Sequence, residues 1–332
     1  MEIAMHAIRL HAFGPAENLT YEQTEDPRPA PGQVRIKVAA AGVHVIDTTF
    51  RSGDPNAPYD LPELPTIPGR EVAGTVDGLG DGVDASWLGR RVVAHLGLVP
   101  GGYAELAVVA TEKLHALPDD LPFDHAIAMI GTGRTTVGLL LFAELTADDV
   151  VVVTGAAGGI GTLLTQYAKH VGATVVGLAG GPTKVARVAE LGADIALDYD
   201  AADWTERARA ALGGRAATLV FDAVGGERGL GAVDLLGRGG RHIVYGWIGG
   251  PLDLSEAELE RRGITSLQVV GKPMLDRIGG PAGMRKLEED SMALAASGVL
   301  VPSVHRFPLA EAAAAHRAIE TRGTMGKVVL IP

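Results

Sequence analysis

The chain has 332 residues, with 29 lysines and arginines against 40 aspartates and glutamates, so its formal charge is −11. That length suggests two domains, and that charge argues against a general nucleic-acid binder, which needs a basic stripe. Cysteine is absent, which excludes disulfides, cysteine-ligated zinc, iron–sulfur clusters and thiol catalysis together. At the start, Met1-Glu2-Ile3-Ala4-Met5-His6-Ala7 lacks the basic flank and long apolar core of a signal peptide. Uninterrupted apolar stretches such as 137–142 fall far short of the ~20 residues that span a bilayer. A soluble, cytoplasmic protein is the expectation.

The first part of the chain reads as β-rich. Val34-Arg35-Ile36-Lys37-Val38 alternates with period two, as a half-buried strand does, and 72–76, 91–94 and 103–109 are further short strands between Gly- and Pro-rich turns. Near Asp148 the rhythm changes. Val150-Val151-Val152-Val153 is a β-branched run suited to a strand buried on both faces. A helix over 160–171 follows, then strand 174–178, helix 183–191, strand 195–199, helix 203–212 and strands 219–223, 242–245 and 267–270. Six strands alternating with helices predict right-handed crossovers and a doubly wound parallel sheet. The last stretch breaks the pattern: 284–297 and 309–320 read as helices and 327–331 as a terminal strand.

Thr154-Gly155-Ala156-Ala157-Gly158-Gly159-Ile160-Gly161 lies between the first buried strand and its helix. Small residues there let the backbone approach a pyrophosphate, and the helix N-terminus offers free N–H groups and a positive dipole end. Ala157, Gly158, Gly159 and Ile160 are therefore cofactor-binding candidates. An NAD site usually carries a carboxylate about 20 residues further on, for the ribose 2′-hydroxyl. Residues 173–189 contain no Asp or Glu and offer Gly180-Gly181-Pro182-Thr183-Lys184 instead, with Arg187 a turn later. A missing carboxylate beside an ammonium suits a 2′-phosphate, so NADPH is expected.

The same glycine pattern occurs in short-chain dehydrogenases, which need a Tyr and a Lys four residues apart. None of the six tyrosines qualifies: the residues four beyond Tyr21, Tyr59, Tyr103, Tyr167, Tyr199 and Tyr245 are Glu25, Glu63, Ala107, Val171, Asp203 and Gly249. Over nearly its whole length the chain instead resembles the medium-chain dehydrogenase/reductase superfamily, and within it the zinc-free, ζ-crystallin-like quinone oxidoreductases. The resemblance is carried by Ala40-Ala41-Gly42-Val43-His44-Val45-Ile46-Asp47 with Arg51-Ser52-Gly53, and by Ile67-Pro68-Gly69-Arg70-Glu71-Val72-Ala73-Gly74. The glycine loop, Glu190-Leu191-Gly192-Ala193-Asp194 and Gly326-Lys327-Val328-Val329-Leu330 complete it.

That resemblance implies an α/β chain built from a GroES-like barrel and a Rossmann domain, with residues 1–128, 129–280 and a return to the barrel over 281–332. It also implies a homodimer. Zinc-dependent members have ligands where this chain has His44, Arg70 and about Thr132. One imidazole cannot hold catalytic zinc, which wants three protein ligands, so no metal is expected. Quinone oxidoreductases usually carry Asn at the His44 position and Tyr at the Thr49 position, beside the nicotinamide. His44, Asp47 and Thr49 are accordingly the candidate catalytic residues, with Asp47 either orienting His44 or capping a turn. Lys184, Tyr199 and Arg322 match residues around the 2′-phosphate. Thr135, Val224, Tyr245 and Gly246 match positions beside the nicotinamide, where backbone and hydroxyl contacts are expected, and Gly180 and Thr132 join the cofactor set. The implied reaction is hydride transfer from NADPH to a quinone or enone. An enoyl-thioester reductase and a crystallin-like NADPH binder with little turnover are the alternatives; neither a membrane nor a nucleic acid is an expected partner. The loop 54–65 and the turn at Trp247-Ile248 are expected to shape the acceptor pocket.

Overall fold

The computed structural model describes residues 4–55, 57, 59–98, 100–252 and 254–332. Packing divides the chain into two units, Met1–Gly131 with Pro302–Pro332, and Thr132–Val301.

The first unit begins with a two-stranded ribbon of β1 (Ala4–Leu10) and β2 (Leu19–Glu25). β3 (Gln33–Val43), helix α1 (Val45–Ser52), β4 (Glu71–Leu79), β5 (Arg91–His95), β6 (Leu106–Ala110), β7 (Leu114–Ala116) and α2 (Phe123–Ile127) follow. The expected alternation of β3 is present: Val34, Ile36 and Val38 point into the core, where Val72, Val92 and Tyr103 are also sealed from water. β3 is the longest of these strands, and β4, β6 and a strand from the far end of the chain all pair with it.

The second unit runs through α3 (Arg134–Ala143), β8 (Val150–Thr154), α4 (Gly159–His170), β9 (Thr174–Ala179), α5 (Pro182–Glu190), β10 (Ile195–Asp198) and α6 (Trp204–Leu212). It continues with β11 (Ala217–Asp222), α7 (Gly226–Val233), β12 (Leu236–Val244), α8 (Glu256–Arg262), β13 (Thr265–Gln268), α9 (Lys272–Ile278) and α10 (Pro281–Ala296). Its six strands lie in the order β10-β9-β8-β11-β12-β13 and every pairing is parallel. This is the doubly wound order, with the switch between β8 and β11. The β-branched run of β8 is buried at every position, as a strand covered on both faces must be.

The return to the first unit begins at residue 302, not at 281 as the resemblance implied. The reason is packing: α9 and α10 bring Met274 and Leu287 against α3, where a Cβ on Gly138 would meet Met274 Sδ at 2.6 Å and Leu287 Cδ1 at 3.4 Å. Thereafter β14 (Val304–Pro308), α11 (Ala312–Glu320) and β15 (Lys327–Ile331) complete the first unit, and β15 pairs antiparallel with β3 at Val329 and Gly42. A seven-stranded sheet results.

One stretch corrects the reading of short apolar segments. Helical residues Phe123–Ala143 are together long and apolar enough to cross a membrane, although most of that stretch is buried within the protein. Asp124, His125 and Arg134 interrupt it in sequence, which hid its length from a count of unbroken runs.

Candidate active site

His44 stands between the end of β3 and the start of α1, with an extended backbone at φ −114°. The Asp47 carboxylate turns back to accept the His44 backbone N–H at 2.8 Å, which satisfies one of the unpaired donors at a helix start. Asp47 thus caps the helix through its carboxylate. His44 Nε2 lies 2.6 Å from Glu71 Oε1 and 2.7 Å from Lys327 Nζ, and Lys327 Nζ lies 2.8 Å from Glu71 Oε2. Glu71 opens β4 and Lys327 opens β15, the two strands that flank β3. The imidazole is therefore gripped at the level of the sheet.

Glu71 and Lys327 are buried, whereas the side chain of His44 keeps 22% of its exposure. Burial by itself would raise the Glu71 carboxyl, but the His44 ring and the Lys327 ammonium overcome it and hold the group well below the usual carboxylate range. Burial also pushes Lys327 down from its ordinary value, opposed by Glu71. Two glycines make room for the carboxylate: a Cβ on Gly42 would sit 2.0 Å from Glu71 Oε2, and one on Gly131 1.8 Å from Oε1. Glu71 and Lys327 stood in the family motifs but were not read as site residues. Pairing of β3 with both β4 and β15 is what joins them to His44.

The rest of Asp47 serves a second group. Oδ1 accepts from Arg70 Nε at 3.2 Å and Oδ2 from the Tyr103 hydroxyl at 3.2 Å, while Tyr103 in turn meets His316 Nε2 at 3.2 Å. Burial drives His316 down to about 4 and raises the Tyr103 phenol well above its usual value. Thr49 lies half-buried on α1, where its carbonyl accepts from Ser52 Oγ at 2.8 Å.

In the second unit the glycine loop is shaped for a close approach. Gly155 has φ +59°, its carbonyl accepts from Gly158 N–H at 2.9 Å, and a Cβ on Gly161 would strike that carbonyl oxygen at 2.3 Å. α4 has no side-chain cap and no acidic residue in its first turn. Its leading N–H groups, from Gly159 and Ile160, are thus available to an anion, which fits a pyrophosphate.

Beside this loop lies Asp222, a residue the sequence reading missed. Its buried carboxylate accepts from Thr154 Oγ1 at 2.7 Å and from the N–H groups of Val224 and Gly225 at 2.9 and 3.1 Å, and His242 Nε2 stands 3.3 Å from it. Burial opposes ionisation, yet these contacts hold the carboxyl below its usual value. Val224 N–H is committed to Asp222, and Tyr245 and Gly246 donate their N–H groups to the Asp222 carbonyl at 2.8 and 3.3 Å. Tyr245 OH turns to the Thr154 carbonyl at 3.4 Å. These residues build a wall whose backbone donors are already taken. The neighbouring Trp247 and Ile248 are exposed; of the loop 54–65, Asn56 and Pro58 lie outside the described residues.

At the other end of the sheet, Lys184 sits half-buried in the first turn of α5 and Tyr199 follows β10. Tertiary structure supplies carboxylates that the stretch 173–189 lacks. Asp198 accepts from Asp200 N–H at 2.9 Å, and Asp200 Oδ2 lies 2.7 Å from where a Gly180 Cβ would stand. Arg228 offsets Asp200 by pairing with it and lies over the Tyr199 ring at 5.1 Å. Thr135 and Thr132 belong to this unit too, and the Thr132 carbonyl accepts from Thr136 Oγ1 at 2.9 Å. Arg322 belongs to the first unit, after α11, with φ +57°.

One of the positions where the resemblance places a zinc ligand holds Arg70. Arg70 is itself a cation with no lone pair to give, and among the described residues no group of three His, Cys, Asp or Glu side chains is placed to hold a metal.

Comparison with known proteins follows the same division. Residues 30–119 match the family model "Alcohol dehydrogenase GroES-like domain" and residues 159–274 match "Zinc-binding dehydrogenase". The chain is similar to a 2-haloacrylate reductase of a Burkholderia species, 32% identical over 97% of this chain and 98% of that one. It is also similar to a quinone oxidoreductase of Pseudomonas aeruginosa, 32% identical over 98% of this chain and 99% of the relative. Among solved structures, Escherichia coli quinone oxidoreductase complexed with NADPH superposes with a TM-score of 0.83 at 29% identity, over 98% of this chain and all of that one.

Proposed function

Because the chain belongs to the quinone oxidoreductase branch of the medium-chain dehydrogenase/reductase superfamily, we propose that it is an NADPH-dependent reductase of quinones or α,β-unsaturated carbonyls that works without zinc. NADPH, when bound, supplies the hydride. Ala157, Gly158, Gly159 and Ile160 would hold its pyrophosphate, and Lys184 and Tyr199 its 2′-phosphate. The fit rests on the uncapped α4 N-terminus and the absence of acid from its first turn. The relatives named quinone oxidoreductase and 2-haloacrylate reductase support an electron-poor acceptor.

The observation that carries the acceptor half is the two-sided grip on His44 Nε2. When Lys327 donates to Nε2, a neutral ring carries its proton on Nδ1. When Nε2–H donates to Glu71 instead, an imidazolium also carries one on Nδ1. Either arrangement would place an N–H on Nδ1, the donor this reading assigns to an acceptor oxygen on which charge develops, the task a metal performs elsewhere. From the second arrangement the ring can release its Nδ1 proton and remain neutral, still bonded to Glu71.

The test is NADPH oxidation with a panel of quinones, enones and enoyl thioesters, run before and after dialysis against a chelator. Turnover of quinones or enones that survives chelation is expected. Activity confined to alcohols and lost on zinc removal would overturn the reading. A cytoplasmic homodimer is part of the same proposal, and a monomer in gel filtration with light scattering would contradict its oligomeric half.

A further inference from the structure

Arg70 is the cation this mechanism leaves unused. Its side chain is only 12% exposed, so the guanidinium is largely withdrawn from water. Nε donates to Asp47 Oδ1 at 3.2 Å, and the guanidinium carbon stands 5.6 Å from the centre of the Phe50 ring. Its two terminal nitrogens have no partner among the described residues. Arg70 lines a cleft of the first unit, walled largely by Leu10, Phe50, Pro62, Pro68 and Pro100.

The other charges of this cleft are committed or solvated. Asp47 Oδ2 already accepts from His44 N–H at 2.8 Å and from the Tyr103 hydroxyl at 3.2 Å. Arg51 donates to the Gly14 carbonyl at 2.7 Å and pairs with Glu320. Asp60 is exposed at the cleft, where water and salt screen it. What remains is a half-used guanidinium facing apolar walls. With Nε engaged, its terminal edge still offers two parallel N–H donors, the spacing that matches the two oxygens of a carboxylate. Asp47 binds the side chain of Arg70 and the backbone N–H of His44, so one carboxylate ties the guanidinium to the residue whose ring serves the acceptor.

We propose that Arg70 is the specificity determinant of this site: it takes the carboxylate of a small α,β-unsaturated acid, which makes such acids preferred over neutral enones and quinones. The inference rests on the reductase reading above and names its substrate class. In the balanced reaction the C=C π bond is lost, hydride from NADPH adds to the β-carbon, a proton from solvent adds to the α-carbon, NADPH is oxidised to NADP⁺, and the carboxylate is unchanged. Pairing with the guanidinium draws electron density from the conjugated system and makes the β-carbon a better hydride acceptor.

The experiment compares 4-oxopent-2-enoate with its methyl ester on the NADPH-loaded enzyme, with 1,4-benzoquinone as the uncharged reference. The acid should exceed the ester in kcat/KM by at least about tenfold, mostly through KM, as expected for one charge-assisted pair. Arg70→Met should bring the acid-to-ester ratio close to one, and Arg70→Lys should keep part of it. A measurement without chemistry guards against a variant that folds poorly: by isothermal titration calorimetry the wild-type protein should bind 4-oxopentanoate at concentrations where its methyl ester does not bind, and Arg70→Met should lose that preference. Equal kinetics for acid and ester, with benzoquinone still reduced, would overturn the role of Arg70 and leave the reductase reading standing. Failure to reduce acid, ester and quinone alike would sink that reading instead, and the calorimetric comparison of wild type with Arg70→Met would then decide on Arg70 by itself.

Discussion

Lys327 Nζ stands 2.8 Å from Glu71 Oε2, and both side chains are almost wholly withdrawn from water. Removing either member strands the other as an uncompensated charge, which is more damaging than removing both. Glu71→Ala should therefore destabilise the protein by about 3–5 kcal/mol, and the double change to Glu71→Ala with Lys327→Met should recover much of that. Urea denaturation measures it. A double variant no more stable than Glu71→Ala would mean that lost packing, rather than the stranded ammonium, is responsible.

His44→Ala tests the same cluster from its open side. Enones concentrate developing charge on one oxygen, whereas a reduced quinone delocalises it. Loss of one donor to a charged oxygen should lower kcat/KM for enones by roughly tenfold to a hundredfold, and for quinones by less. Steady-state kinetics at saturating NADPH are the measurement; unchanged enone rates would return His44 to a packing role.

Lys184→Ala addresses the choice of cofactor. A charge-assisted contact to a phosphate contributes roughly 1.5–3 kcal/mol before exposure weakens it. NADPH should bind about tenfold more weakly in the variant while NADH barely changes. Equal losses for both cofactors in a fluorescence titration would assign Lys184 a structural role.

His316 makes stability depend on pH. Its folded value is about 4 against an ordinary 6.5, so between these pH values the unfolded chain binds the proton that the folded one refuses. Stability should be complete above pH 6.5 and fall as pH drops toward 4, by about 3 kcal/mol at one unit per 1.36 kcal/mol. His316→Gln should flatten that slope in thermal melts taken across the window. An unchanged slope would show that other groups carry the acid sensitivity.

Much of the architecture was legible in the chain. The period-two alternation of β3, the β-branched run of β8 and the strand–helix rhythm after Asp148 identified both sheets, because burial on one face or two writes itself into local hydrophobic order. The glycine loop was legible for the same local reason: Gly161 tolerates no Cβ beside the Gly155 carbonyl. Helix bounds shifted by one to three residues, as fraying ends do. Residues 281–301 were misassigned because the pairing of Met274 and Leu287 with Gly138 is a contact between distant segments that no local pattern records.

The sequence alone determined the strand–helix alternation that follows Asp148 and that no thiol chemistry is available, since each follows from composition or from neighbours in the chain. Only the tertiary structure decided what surrounds His44. Glu71 and Lys327 reach it because β4 and β15 both pair with β3, while Asp47, three residues away, is held by the helix start and by Arg70. It also decided that Asp222 uses the backbone donors of Val224 and Gly225 and that Asp200 approaches Gly180. Side-chain partners of this kind depend on strand register and crossover geometry, which bring distant residues within hydrogen-bond reach and leave no periodic trace in the chain.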